Sequence, residues 1–351
     1  MNMKLTAVQM IGTQRSGSNL LRLMLNQLPQ VSAPHPPHIL ERFMPLLPLY
    51  GDLSMLYNFR RLVEDVCALI ACNPVAWTDV ELNVNEILAL CKEHTLVDIT
   101  RVIYEEKARS KEANIWMCKS MSNIHYADVL ENSLQPLYIF LYRDGRDVAC
   151  SFKKAVVGDK HIYCIARQWK EEQDKCIALQ KRVNKERFIA VCYEDLIHHP
   201  ENELLRICAF LGVPYRSDCL QYHHSREARN TASSGAMWQH VKEEVMADNC
   251  NKYRKELSAD EIHLFERIAG SSLLKLGYTL DFPYSLQRTV SKQEKEAYTL
   301  QNQQLKREAA RRQTPEDAAK RKQQDALLHR LKTEMENSIL NEETFAGKEV
   351  A

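Results

Sequence analysis

The order of apolar runs along this chain predicts an α/β protein: a central parallel sheet flanked by helices on both faces, followed by a helical C-terminal tail. Three observations carry the prediction. Short runs rich in β-branched and aromatic residues alternate with longer stretches of helical spacing, the pattern of a parallel sheet covered on both sides. One run, 136–142, is continuously apolar and aromatic, as a strand buried on both faces must be. A glycine-containing turn separates the first strand from the first helix.

Residues 5–11 form the first expected strand. Leu20, Leu21, Leu23, Met24, Leu25 and Leu28 then have the apolar spacing of a helix. Between them lies Gly12-Thr13-Gln14-Arg15-Ser16-Gly17-Ser18-Asn19. Such a turn aims successive backbone N–H groups and a helix start at one spot, which suits a phosphate or sulfate. Gly12 and Gly17 keep the G-x-x-x-x-G spacing of nucleotide-hydrolysing loops. The Lys and Ser/Thr that should follow, for the phosphates and Mg²⁺, are replaced by Ser18 and Asn19. The cation is Arg15, inside the loop. The anion cradle is thus kept and the metal hydroxyl lost; a tight turn with Gly17 retained for steric reasons alone is the plain alternative.

Pro34, Pro36 and Pro37 exclude helix and favour a stiff extended segment over 28–38. Residues 53–71, 83–93 and 98–111 read as amphipathic helices, so 39–112 is a helical insertion between the first strand and the next. Further strands are expected at 114–119, 136–142 and 187–193, and helices at 126–130, 162–184, 201–211 and 258–276. Gly212 and Gly277 close the last two, and Ser258 with Glu261 opens the last as a capping box. Residues 143–147 read as a turn, with a helix beginning at Asp147. Arg15, Lys119, Arg143 and Tyr193 each fall at or just past a strand end, the edge where open parallel sheets bind ligands. From residue 288 the chain is rich in Gln, Lys, Glu, Arg and Ala. Leu300, Leu305, Leu327, Leu328, Leu331 and Met335 are too sparse there to sustain heptads. The expected division is a domain at 1–285 and a charged helical tail at 286–351, either solvated or an arm for homo-oligomerisation.

Bulk properties narrow the class. With a net charge of +1 over 351 residues, nothing pulls the whole chain toward nucleic acid or membrane. No apolar run reaches membrane-spanning length and no secretory leader is visible, so the expected location is cytoplasmic. The 11 cysteines are odd in number and form no C-x-x-C pair, which reads as reduced thiols. The histidine pairs lack matching cysteine spacing, so no metal is expected.

Two separated motifs resemble the PAPS-dependent sulfotransferases, a family with a P-loop NTPase-like fold. Residues 12–21 look like its loop for the 5′-phosphosulfate. Tyr142-Arg143-Asp144-Gly145-Arg146-Asp147-Val148-Ala149-Cys150-Ser151-Phe152 looks like its 3′-phosphate motif. Lys119, 193–196, 210–213, 251–258 and 276–278 add to the match, which spans 5–282 and leaves out the tail. The resemblance implies PAPS as donor and PAP as product. It implies a cofactor site made of Arg15, Ser16, Gly17, Ser18, Asn19, Leu20, Arg143, Ser151, Tyr193, Lys252 and Tyr253. Arg15 and Lys119 would stabilise charge on the leaving oxygen, and no metal is needed.

The chain departs from the family at the base. Animal cytosolic members carry His two residues after the strand-end Lys, where Met121 stands here. Tyrosylprotein and some glycan members carry Glu in the loop after the first helix, where this chain, nearer that pattern and of bacterial type, has Pro34-His35-Pro36-Pro37-His38. His35 is the expected base, with His38, Glu41 and His125 as alternatives. An adenine-stacking Trp is also replaced, by Leu20; Trp238 or Tyr193 is the expected cover. Residues 39–96, with Phe43, Met44, Leu46, Leu47, Leu49, Tyr50, Met55, Leu56, Tyr57 and Phe59, are expected to wall the acceptor pocket, or else to be core. As a wall they favour a sterol, lipid or other apolar alcohol. The expected activity is sulfuryl transfer from PAPS to such an acceptor. The rivals are a kinase-like phosphotransferase and a non-catalytic nucleotide-binding scaffold acting through the tail.

Overall fold

The computed structural model describes residues 5–284 and 289–346. Five strands, β1 (Thr6–Gly12), β2 (Val31–Ser32), β3 (Ile115–Cys118), β4 (Leu137–Tyr142) and β5 (Phe188–Cys192), form one sheet in the order β2-β3-β1-β4-β5, with every neighbouring pair parallel. Parallel strands need crossovers. These are made by α1 (Ser18–Leu25); by α2 (Ile39–Phe43), α3 (Leu56–Ala71), α4 (Val84–Leu90) and α5 (Leu96–Arg109); and by α6 (Ala127–Ser133), α7 (Gly145–Lys154) and α8 (Ile162–Arg182). After the sheet come α9 (Tyr193–His198), α10 (Pro200–Leu211), α11 (Arg226–Ser233), α12 (Tyr253–Glu256) and α13 (Ala259–Lys275), then α14 (Lys292–Arg311) and α15 (Pro315–Ala346) in the tail.

Alternation decides the layers even in these apolar strands. Val8, Met10, Ile139, Leu141 and Val191 point into a core with α1, α9 and α10, while Ile11, Tyr138, Phe140 and Phe188 point into another with α8. Gly12 pairs with Leu141 and Tyr142 with Cys192, so β1, β4 and β5 end at one level. Arg15, Arg143 and Tyr193 therefore leave the sheet at the same edge.

The expected α/β class holds, with three local differences. The helical insertion lies between β2 and β3, because the extended proline segment begins with a two-residue edge strand. Helix α7 starts at Gly145 rather than Asp147: the Asp144 carboxylate accepts from Arg146 N–H at 2.9 Å and caps it. The tail is not a free solvated arm. Leu331 of α15 is fully buried in the core of the insertion, with Leu327 and Leu328 packed beside it, and Arg330 and Glu334 pair with Asp65 and Arg61. Helix α14 is tied by Asn302, whose carbonyl oxygen accepts from the Lys160 and His161 amides at 2.8 and 3.0 Å. The expected boundary at 285/286 lies outside the described residues, as does the Met335 side chain. Among the described residues no helix is long and apolar enough to cross a membrane, and all 11 cysteines are free thiols.

Candidate active site

A cavity of about 800 Å³ opens where β1, β3, β4 and β5 end. The first loop forms its floor. Gly17 sits at φ 86° and caps α1 without a side chain, leaving the N–H groups of the first helical turn without intrahelical partners. A Cβ at Gly17 would lie 2.3 Å from the Tyr193 ring, so only glycine fits between the loop and that ring. Arg15 also has positive φ, 71°, a strained conformation for a side-chain-bearing residue of the kind found at functional sites.

The 142–152 motif meets this loop directly. Arg15 Nε donates to Ser151 Oγ at 3.0 Å. Arg143 lies over the Tyr193 ring at 4.4 Å, donates to the Asn249 carbonyl at 2.7 Å, and keeps a buried Nε with no partner. The rest of the motif is bracing. Arg146 is gripped by Asp144 and Glu266 at 2.7 and 2.6 Å, and Glu194 takes the Asp144 amide at 3.0 Å and the Tyr278 hydroxyl at 2.9 Å. Burial and the neighbouring Arg143 hold the Arg15 guanidinium below its ordinary value.

The opposite wall comes from β3 and the proline segment. Lys119 is buried; desolvation, then Arg22 and Arg15, bring its amine down to about 7. Arg22, fully buried, donates to the Ala33 carbonyl at 3.0 Å and to Glu227 at 2.8 Å, which pins the segment leading to His35. The His35 carbonyl accepts from Trp77 Nε1 at 2.7 Å, leaving a ring whose two nitrogens have no partner and which meets Trp238 edge-on at 5.0 Å. Burial, Lys119 and Arg22 push that imidazole well below its ordinary value. His38 lines the cavity with Nδ1 3.3 Å from Glu41. Burial raises the Glu41 carboxyl, but His38 and the Ser122 hydroxyl, donating at 2.5 Å, outweigh it and bring the group to about 2.

The structure gathers Arg15, Gly17, Ser18, Asn19, Leu20, His35, His38, Glu41, Lys119, Arg143, Ser151, Tyr193 and Lys252 around this one cavity. It does not bring in four other groups. The Ser16 hydroxyl is buried without a partner and does not line the cavity. Tyr253 is a core residue under Arg146, and its amide donates to Asp147. His125 lies at Lys175, 2.8 Å away, outside the cavity lining. None of the expected apolar wall residues lines the cavity: Phe43, Leu46, Tyr50 and Phe59 are core, while Met55, Leu56 and Tyr57 are exposed at the surface. Of the two expected adenine covers, Tyr193 is held between Gly17 and Arg143, and Trp238 packs on His35 with Arg321 over it at 5.5 Å. Arg42, Asn249 and Arg321 line the cavity without having been foreseen. No sequence motif marks Arg42 or Arg321, and Arg321 lies in the tail. Among the described residues no group of three His, Cys, Asp or Glu side chains is arranged to hold a metal.

Comparison with known proteins agrees with this architecture. A model described as "Sulfotransferase family" matches residues 8–217, more than half of the chain, and one described as "Sulfotransferase domain" matches residues 164–275. The fold is similar to that of the sulfotransferase domain from the Synechococcus PCC 7002 olefin synthase, at TM-score 0.50 and 24% identity over 78% of this chain and 95% of that one. It is also similar to the sulfotransferase domain from the curacin biosynthetic pathway, at TM-score 0.52 and 18% identity over 79% and 99%.

Proposed function

The chain belongs to the sulfotransferase family, and on that premise we propose that it transfers the sulfuryl group of PAPS to a hydroxyl acceptor, giving a sulfate ester and PAP. The observation that carries the donor assignment is the Arg15–Ser151 bond. It joins the phosphosulfate-type loop to the 3′-phosphate-type motif, so one wall offers two anion sites. The unpartnered Nε of Arg143, the glycine cradle at Gly17 and a buried lysine whose proton is held only weakly beside Arg22 and Arg15 all fit a ligand with several negative charges.

The donor supplies a sulfuryl group on a good leaving oxygen. Arg15, Lys119 and the first-turn N–H groups of α1 stabilise the charge that grows on that oxygen as its bond to sulfur breaks. A new bond forms from the acceptor oxygen to sulfur, and the acceptor's proton passes to His35, whose neutral ring has free nitrogens. A second reading assigns the proton to His38, because the Glu41 carboxylate at 3.3 Å would orient that ring and stabilise its charged form. No step in either reading needs a metal. The sulfotransferase domain is proposed as residues 1–285, with the tail adding Asp317 and Arg321 to the cavity lining.

The test is incubation with radiolabelled PAPS and pooled sterols, phenols, lipids and sugars, with and without EDTA. Transfer that survives EDTA is expected. PAP binding without transfer to any pool would favour a scaffold, and EDTA-sensitive transfer would count against this mechanism.

A further inference from the structure

We propose that the acceptor is an amphiphilic alcohol bearing an oxyanion, a carboxylate or a phosphate, held between Arg42 of α2 and Arg321 of α15. The inference rests on the sulfuryl-transfer reading and narrows its substrate. Arg42 lines the cavity, yet its Nη1 is buried without a hydrogen-bond partner. Among the described residues no carboxylate lies within ion-pair distance of it: Glu41 is engaged by Ser122 and His38, and Asp325 acts from farther away. Arg321 lines the same cavity, lies over the Trp238 ring at 5.5 Å, and approaches Met237 Sδ at 4.0 Å rather than a carboxylate.

These two cations are separate from the donor set of Arg15, Lys119 and Arg143. They repel each other, and burial lowers the Arg42 guanidinium by more than the nearby Glu41 and Asp325 restore, the cost of a buried charge that is incompletely paired. A carboxylate or phosphate between them relieves both penalties through the planar donor fork. Asp317, one turn earlier on α15, lines the cavity too and limits where an anion can settle. Beside the pair, Met237, Trp238, Val241, Val245 and Met246 line the cavity with apolar surface. One wall suits an alkyl body and the other a charged head, so the tail helix becomes a specificity element.

The test titrates ω-hydroxydecanoate, its methyl ester and ω-hydroxydecyl phosphate into PAP-saturated full-length protein by calorimetry, and measures turnover of each with PAPS. At least one anionic member should bind and react with kcat/KM roughly tenfold or more above the ester, about the contribution of one charged hydrogen bond. The preferred anion identifies carboxylate or phosphate. Arg42→Gln and Arg321→Gln should each cut the anion-over-ester preference about tenfold, and Arg321→Lys should restore part of it. An ester that matches the acids, variants that weaken all three equally, or a PAP complex that binds no anionic member would each overturn the proposal. Failure of the wild type to bind PAP would instead strike the donor reading.

Discussion

Arg15 Nε and Ser151 Oγ, 136 positions apart in the chain, are hydrogen-bonded at 3.0 Å. The contact holds the charged side chain of the first loop against the second helix-borne motif, and Arg143 reaches the Arg15 carbonyl at 3.4 Å beside it. The two motifs should therefore act as one unit. Ser151→Ala is expected to weaken PAP binding about tenfold, the scale of a charge-assisted bond. Combined with Arg15→Lys, it should cost less than the sum of the single effects. Calorimetric titration of PAP into the four forms of the cycle measures this; strict additivity would mean the bond is incidental.

Gly17 faces the Tyr193 ring so closely that a methyl group cannot enter, and its φ of 86° disfavours any side chain. Gly17→Ala should lose PAP affinity by about two orders of magnitude and destabilise the fold by roughly 1–3 kcal/mol, the cost of a residue held in a strained backbone region. Gly17→Ala/Tyr193→Ala removes the clash but not the φ penalty, so it should recover stability in part. Full recovery would show that the backbone geometry is unimportant.

Lys119 gives the molecule a pH signature. Its folded-state value is about 7, against an ordinary lysine value of 10.5. The unfolded chain therefore holds more protons between these values, and this group makes stability rise with pH across that window. Anionic donor binding should restore the proton, so PAP binding above pH 7 should take one up, visible as a dependence of binding enthalpy on buffer ionisation. kcat/KM, which reports the free enzyme, should fall as pH rises through about 7. Lys119→Met should abolish the proton uptake; uptake that persists would trace to another group.

Much of this site was legible because the sequence signals are local. The glycine spacing at 12 and 17 and the apolar run of β4 that leads into Arg143 each identify themselves within a dozen residues. What escaped was set by distance. Phe43, Leu46 and Tyr50 form an apolar cluster that reads equally as pocket wall or core; packing against α3, α5 and Leu331 makes it core. Arg42 and Arg321 have no motif, and only the fold of α15 across the insertion brings them to one cavity. Tyr253 sits in a motif that matches the family, yet its ring stacks under Arg146 while the adjacent Lys252 lines the cavity.

The base is tested by separating the two histidines. Burial and nearby cations keep His35 neutral well below pH 6.5, so a reaction that uses it should keep its kcat down to that range. His35→Asn should lower kcat by about two to four orders of magnitude, the usual general-base contribution, with PAP affinity unchanged. If His38→Asn causes that loss instead, the Glu41-paired ring carries the proton, and Glu41→Gln should then shift the acidic limb of the profile. Loss of PAP binding in His35→Asn would mean that the ring only packs against Trp238.

Helix α15 is charged along most of its length, and its Arg61–Glu334 pair with α3 contributes little because both partners remain solvated, whereas in the Arg330–Asp65 pair only the arginine is exposed. The burial of Leu331 is different, since that side chain is withdrawn completely into the core of the insertion. Leu331→Ala should cost about 2–4 kcal/mol if α15 unfolds together with the domain, the range for a buried leucine whose cavity cannot collapse. Glu334→Ala, which breaks the solvated pair at the edge of the same contact, should cost under about 1 kcal/mol. Denaturant unfolding of both variants, followed by fluorescence, measures the two terms. A Leu331→Ala midpoint equal to that of the wild type would mean α15 detaches before the domain unfolds. The same variant should retain PAP affinity, because the donor wall of Arg15, Arg143 and Ser151 lies on β1, β4 and α7 connections that α15 does not support.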